Sequence, residues 1–152
     1  MLIQTLKQLF IRDLGKLKME IESYHNEEVI WKIEKNIANS GGNLCLHLLG
    51  NLNTYIGREI GKTGYIRNRE LEFSQKDIPR DELVRQIEVT IVKINYSLDQ
   101  LSPEQLKDEY PLLVWEEKTS IEYLLVHLTT HLTYHLGQIN YHRRLLDSEN
   151  PA

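Results

Sequence analysis

Three histidines stand four residues apart in the last quarter of the sequence, and this spacing suits metal binding. They are His127, His131 and His135, in the run HLTTHLTYHLGQ. Residues four apart on an α-helix share one face, with Cβ atoms roughly 5–6 Å apart, so two such imidazoles can hold one ion. His47 lies far upstream in a second apolar segment. Two ligands from one helix and one from another would bind a divalent metal between helices.

The apolar stripe of the last predicted helix favours one of the two histidine pairs. At about 100° per residue, His135 falls within the stripe, His131 lies at its edge, and His127 lies toward the rim. His127 and His135 are about 12 Å apart along the axis, too far to share an ion. The favoured pair is therefore His131 and His135, with His47 at the edge of its own stripe. The alternative is that each inward histidine is a core residue bonded to a carbonyl or hydroxyl group, although burying two side by side desolvates both.

The elements that must position these histidines are four predicted helices and no strand. Apolar residues recur at helical spacing in each segment, and Ser, Asn or Pro residues precede three of the four. The longest connection, from Gly61 to Pro79, is polar and predicted to be a loop, and His25 and His142 are expected at the surface or beside a ligand residue. We predict one all-α domain over residues 1–146, with a frayed tail at 147–152. The predicted helices run from about Leu2 to Tyr24, Ser40 to Ile60, Pro79 to Leu101 and Thr119 to Leu146.

Composition excludes several classes of protein. The 152 residues are 41% hydrophobic and 26% charged, which is ordinary for a globular domain with a sizeable core. The net charge is −4 and the basic residues are scattered, so no basic face for nucleic acid is predicted. No apolar run approaches the roughly 18 residues of a membrane span.

The single cysteine and the first residues indicate the compartment. Cys45 lies in an apolar helix and has no second cysteine with which to form an internal disulfide. It is expected to be a small buried hydrophobic residue, which suits a reducing compartment. The segment after Met1 lacks the apolar block of a signal peptide. We therefore predict a cytoplasmic protein.

Two sequence blocks together resemble a known family. The block SGGNLCLHLLGN from Ser40 to Asn51, followed some 80 residues later by HLTYHLGQI from His131, is similar to the DinB-like (YfiT-like) metalloprotein superfamily. The likeness covers essentially the whole chain. It implies a four-helix bundle of up-down-down-up topology with a divalent metal bound by His47, His131 and His135. It also implies a homodimer, since relatives often pair through bundle helices.

A site of three neutral imidazoles would leave at least one coordination position open, as in catalytic rather than structural metal sites. Imidazole ligands favour zinc or nickel here, with iron, manganese or copper as further candidates. An open position can activate water or keep a bound thiol deprotonated. Some members of the resembled family are transferases or hydrolases that use bacillithiol, mycothiol or glutathione, and many others have no assigned activity.

Several further residues are candidates for the surroundings of the site, and their roles stay open. Asn51 and Gln138, each about one turn from a histidine, could orient a ligand or cap a buried polar group. The loop segment that contains Arg67, Arg69 and Glu70 resembles one that borders the metal cavity in relatives; the alternative is a solvated loop. Phe73 is part of that bordering segment or, in the alternative, the one residue that anchors the loop. Trp115 and Tyr134 could line a pocket or fill the core.

No general base is fixed beside the histidines in the sequence, so no catalytic residue is assigned and hydrolysis has the least support. Three functions stay open. The first is a metal-dependent enzyme that transfers or hydrolyses with a small thiol. The second is a non-catalytic module that binds a metal or small ligand, such as a stress-response or sensor protein. The third is a helical interaction protein whose histidines are structural.

Overall fold

The computed structural model describes residues 1–147, which form α-helices and short helical turns without a β-strand. The five α-helices are α1 (Leu2–Ser23), α2 (Gly41–Leu52), α3 (Arg69–Ser74), α4 (Arg80–Asp99) and α5 (Ile121–Leu146). Two 3₁₀ turns (Glu27–Trp31 and Pro103–Lys107) and one π-helical turn (Asn53–Arg58) join them. The all-α prediction is thus confirmed, as are the approximate bounds of the four long segments. The six-residue helix α3 was not predicted.

Helix α1 packs against α4 and α5 through a continuous apolar stripe. Its inward positions recur every three or four residues, as the sequence pattern requires. Leu6, Phe10, Leu14 and Leu17 are all buried on this stripe. The opposite face of α1 is exposed and mostly polar, apart from Ile11 and Met19, so this helix forms an outer wall of the core.

Helix α2 is the central element, because all twelve of its residues are buried. It contacts α3 and α5 and, less extensively, α4. The predicted continuation to about Ile60 is present but changes its winding. The amides of Glu59 and Gly61 donate to carbonyls five residues earlier, those of Thr54 and Ile56, which is the π-helical pattern. The helix therefore continues beyond Leu52 with a wider turn.

Two expectations for the C-terminal region are wrong. His142 is neither at the surface nor bonded to a candidate ligand: it is buried, Tyr24 Oη lies 2.8 Å from its Nδ1, and its Nε2 lies 2.8 Å from the Lys32 carbonyl. Asp147 is also buried, because its carboxylate accepts from the backbone amides of His25 and Asn26. The rest of the predicted frayed tail lies outside the described residues.

No helix in the described part of the chain is both long and apolar enough to cross a membrane. The longest, α5, carries polar and ionisable side chains along its length. It presents to α2 the face that bears the predicted pair of histidines.

Candidate metal centre

The structure brings together the three histidines singled out in the sequence. His47 is on α2, and His131 and His135 are one turn apart on α5. One ring nitrogen from each lies within 4.8 Å of the other two. His47 is buried, and the other two are partly buried. Nε2 of His47 and Nε2 of His131 are 3.4 Å apart. Two nitrogens at zinc–nitrogen bond lengths of about 2.0–2.1 Å in a tetrahedral site stand about 3.3 Å apart, so the His47–His131 separation matches that of two ligands of one ion.

Two of the three rings are held by acceptors on the side away from the cluster. Nδ1 of His47 lies 3.2 Å from Oε1 of Glu72, and Nδ1 of His135 lies 2.7 Å from Oε1 of Gln138. Because a carboxylate oxygen and an amide oxygen only accept, we assign the ring proton to Nδ1 in both histidines. Their Nε2 lone pairs are then free to bind a metal. Ligand histidines in metalloproteins are usually oriented in this way.

His131 has no such support among residues 1–147, where its buried Nδ1 has no hydrogen-bond partner. Burial, together with the neighbouring His135 and His47, lowers its pKa to about 4. Burial likewise lowers the pKa of His135, although the hydrogen bond with Gln138 opposes this. Both rings are therefore neutral at pH 7, the form that binds metals. At pH 7 these neutral rings carry no extra proton, so the nitrogen lone pairs that face one another repel. A bound cation would remove that repulsion.

Glu72, on α3, is the acidic partner of the centre. It is 5% exposed and accepts two hydrogen bonds from Arg67, from Nε at 2.8 Å and from Nη2 at 3.0 Å, besides its contact with His47. Burial alone would raise the pKa of this carboxyl group, but the hydrogen bonds from His47 and Arg67 outweigh it and lower the pKa. Glu72 is therefore a carboxylate that polarises the His47 ring and adds negative charge near the proposed cation.

The Ser-x-x-Asn part of the first sequence block positions Glu72. Ser40 caps α2 by accepting from the Asn43 amide at 3.1 Å, and its hydroxyl donates to Asn43 Oδ1 at 2.7 Å. This fixes the Asn43 side chain so that its Nδ2 donates to the carbonyls of Glu72 (3.0 Å) and Gln75 (2.8 Å). The motif thus begins α2 and also holds the last turn of α3 against it.

Gly50 provides the space that Glu72 occupies. A Cβ atom at this position would lie 1.9 Å from Oε2 and 2.5 Å from Cδ of Glu72, distances that non-bonded atoms do not adopt. Any larger residue would push the carboxylate away from its present position. The glycine of the LLGN sequence is therefore required by a close approach between α2 and α3.

Of the other residues predicted to surround the histidines, some contact the centre and others do not. Gln138 contacts a site histidine, as proposed. The Phe73 ring centroid is 5.0 Å from that of His47. Asn51 is buried, and within the described range its Oδ1 has no hydrogen-bond partner. Arg69 and Glu70 are exposed to solvent but lie in the first turn of α3 rather than in a loop, so neither borders the centre.

Aromatic side chains border the cluster on the solvent side. Tyr134 is 66% exposed with its ring 5.3 Å from that of His135, and Trp115 is 37% exposed with its ring 4.6 Å from that of His127. Neither residue fills the core. His127 stacks on His131 at a centroid distance of 6.3 Å, which places it beside the cluster rather than in it. The approach from solvent is thus lined by aromatic rings.

Glu72 was missed by reasoning from the sequence, which singled out Glu70 instead. The two lie in the same polar segment, and neither composition nor periodicity distinguishes them. One usable signal was present: Asn68 can cap a helix, and its side chain does accept from the Leu71 amide at 3.2 Å. A helix that begins after Asn68 directs only some of the following charged side chains toward α2.

Comparison with known proteins gives a family but no activity. The model of a family described as "Protein of unknown function (DUF1572)" matches residues 2–151. No curated protein matches the chain.

Proposed function

The chain belongs to the DUF1572 family, and we propose that it is a divalent-metal-binding protein of the DinB-like type. The proposal includes the up-down-down-up bundle topology and a metal centre formed by His47, His131 and His135. The supporting observation is the convergence of these three rings, with one nitrogen of each within 4.8 Å of the others. They are the same residues that carry the sequence resemblance.

The surroundings of the rings favour a metal over a purely structural role. A structural histidine is satisfied when both ring nitrogens have partners, as both do in His142. In the cluster, Nε2 of His47 and Nε2 of His131 lie 3.4 Å apart, and among residues 1–147 neither has another hydrogen-bond partner. Lone pairs that converge in a partly buried place are stabilised by a cation. Zinc and nickel are among the metals that imidazole ligands suit.

Metal analysis of single variants tests this centre. We expect the purified protein to bind one zinc or nickel ion per chain, and His131→Ala to lose it. His127→Ala is the matched control, since it removes a histidine one turn away on the same helix that lies outside the cluster. Equal metal content in His131→Ala and the unaltered protein would contradict the proposal.

The proposed chemistry is group transfer with a low-molecular-weight thiol. When bound, a metal with an open position would keep the thiol sulfur deprotonated at neutral pH. Glu72 accepts hydrogen bonds from both His47 and Arg67, so its carboxylate is engaged and unsuited to activating water as a general base. This favours transfer over hydrolysis. The aromatic rings of Phe73 and Tyr134 would line the path of the acceptor substrate.

Activity can be tested with chlorodinitrobenzene as the electrophile and a panel of thiols, following release of chloride. Turnover that requires the metal and is lost in His131→Ala would support a transferase. A bound metal without turnover for any thiol would instead support the alternative, a non-catalytic metal-binding or stress-response module. The lack of an available general base among the described residues beside the cluster keeps that alternative open.

We also propose a homodimer. Tyr123 and Val126 lie on one side of α5, three residues apart, and each is more than 40% exposed. Pairing of this face between two copies would bury it. Light scattering after size exclusion should give twice the chain mass, and a mass of about 18 kDa at every concentration would refute the dimer.

A further inference from the structure

A second concave site lies beside the proposed metal centre, between the connector at 34–39 and the C-terminal half of α5. It has a volume of about 420 Å³, within the usual 300–1,000 Å³ of small-molecule sites. Leu44, on α2, forms part of its wall, three residues before His47. Gln138 forms another part, three residues after His135. The groove therefore starts about one helical turn from the histidines.

Apolar side chains dominate its walls and are left exposed. Ile37 on the connector is 41% exposed, and on α5 Tyr141 is 63% and Leu145 is 73% exposed. Apolar groups that face each other across a concavity lower their free energy when a ligand removes them from water. An apolar body of a small molecule fits between these walls.

The polar residues of the groove indicate the head group of that molecule. Gln138 Oε1 accepts from His135, whereas the amide nitrogen of Gln138 has no hydrogen-bond partner among residues 1–147 and can donate to a ligand oxygen. Lys35 supplies positive charge at the rim. Glu34 also lines the groove, but its carboxylate is paired with Lys32 at 2.8 Å. Lys35 is the other charged residue in the wall, so the groove favours an anionic ligand.

We propose that this groove binds a small monocarboxylate with an apolar body, its carboxylate toward Gln138 and Lys35 and its body along Ile37 and Leu145. The concave shape and modest volume suit a small molecule better than a helix of a second copy.

The groove is also linked to the metal centre through Gln138, and this part rests on the proposed function. A carboxylate that accepts a hydrogen bond from the Gln138 amide nitrogen also fixes the position of Gln138 Oε1. That oxygen orients the His135 ring. Binding at the two sites is then reciprocal: each ligand changes the affinity of the other by the same factor. We expect octanoate to tighten zinc binding severalfold in the unaltered protein and not in Gln138→Ala.

Calorimetry with butanoate, hexanoate and octanoate, on protein freed of metal by a chelator, tests the groove on its own. We expect saturable binding that tightens about threefold to fourfold per methylene buried. Leu145→Glu should weaken octanoate binding at least tenfold. The matched control is Val92→Glu on α4, where a residue of similar exposure (69%) lies away from the groove; it should bind octanoate as the unaltered protein does.

The next two results would overturn the proposed groove, and a third separates the groove from the metal centre. Absence of saturable octanoate binding, or equal weakening in Leu145→Glu and Val92→Glu, would exclude the groove as the binding site. Octanoate affinity that falls as protein concentration rises would assign the groove to a second copy of the chain. Octanoate binding in a protein that takes up no zinc would refute the metal centre alone and leave the groove standing.

Discussion

The close approach at Gly50 makes Gly50→Ala the sharpest test of how the site is built. An alanine Cβ would lie 1.9 Å from Glu72 Oε2, so the carboxylate must leave its position. It would then lose its hydrogen bonds with Arg67 and its contact with His47. The substitution adds one methyl group and no charge, which makes it a purely steric perturbation of Glu72.

Two opposing contributions determine the expected change in the free energy of unfolding of Gly50→Ala. Replacing glycine by alanine in a helix stabilises by roughly 0.5–1 kcal/mol when the methyl group meets no obstacle. Breaking a buried ion pair costs about 3–5 kcal/mol, because the partner charge is left uncompensated. The net expectation for Gly50→Ala is therefore a loss of about 2–4 kcal/mol in the free energy of unfolding.

Gly137→Ala is the matched control. Gly137 is exposed on α5, two residues after His135, and a Cβ there has no atom within 4 Å. Gly137→Ala should therefore be stabilised by the higher helix propensity of alanine, and it should leave the Glu72 ion pair intact. The two alanine variants are thus expected to shift stability in opposite directions, although each adds one methyl group to a helix next to the site.

Urea denaturation of the metal-free proteins measures the stability difference, and zinc titration measures the effect on the centre. Loss of the acceptor that orients a ligand histidine typically weakens metal binding 10–100-fold. We expect this loss in Gly50→Ala and unchanged zinc affinity in Gly137→Ala. If Gly50→Ala were as stable as Gly137→Ala and bound zinc normally, the packing of Glu72 on α2 would be refuted.

Further predictions concern protonation and side-chain chemistry. Glu72→Gln should weaken zinc binding 10–100-fold, whereas Glu70→Gln, on the exposed side of the same segment, should leave it unchanged; equal effects would contradict the assignment of Glu72. Burial lowers the pKa of His142, so the unfolded state binds more protons. The free energy of unfolding of the metal-free protein should therefore fall as pH drops below about 6.5, and less steeply in His142→Gln; an equal pH slope in both would refute a buried neutral ring. Burial raises the pKa of Cys45 to about 12, so iodoacetamide at pH 8 should label this thiol only in denaturant, and labelling of the native protein would show that it is accessible.

The sequence predicts those features that depend on local periodicity. The long helices follow from apolar spacing, and the choice of His131 and His135 over His127 follows from the angular position of each residue on α5. The structure brings His131 and His135 together with His47, and it leaves His127 beside this cluster.

The features that were missed depend on partners far along the chain. His142 is buried because Tyr24 supplies a hydroxyl group 118 positions away, and no local pattern contains that information. Glu72 lies in a helix of six residues, too short to show a periodicity and too short to be stable alone. Its burial follows from the space left at Gly50 and from the Asn43 side chain, both on a different helix.

The attachment of α3 has a consequence for how metal would enter and leave. The six residues of α3 are held against α2 by the Asn43 amide, the Glu72 carboxylate and the Phe73 ring, so this short helix is expected to open locally at a lower free energy than the long helices. Because the same carboxylate orients His47, bound metal and an ordered α3 must reinforce each other. We therefore expect amide hydrogen exchange at Leu71 and Gln75 to slow on metal addition, with that in the middle of α1 unchanged. The degree of order in α3 would then report whether the centre holds a metal ion.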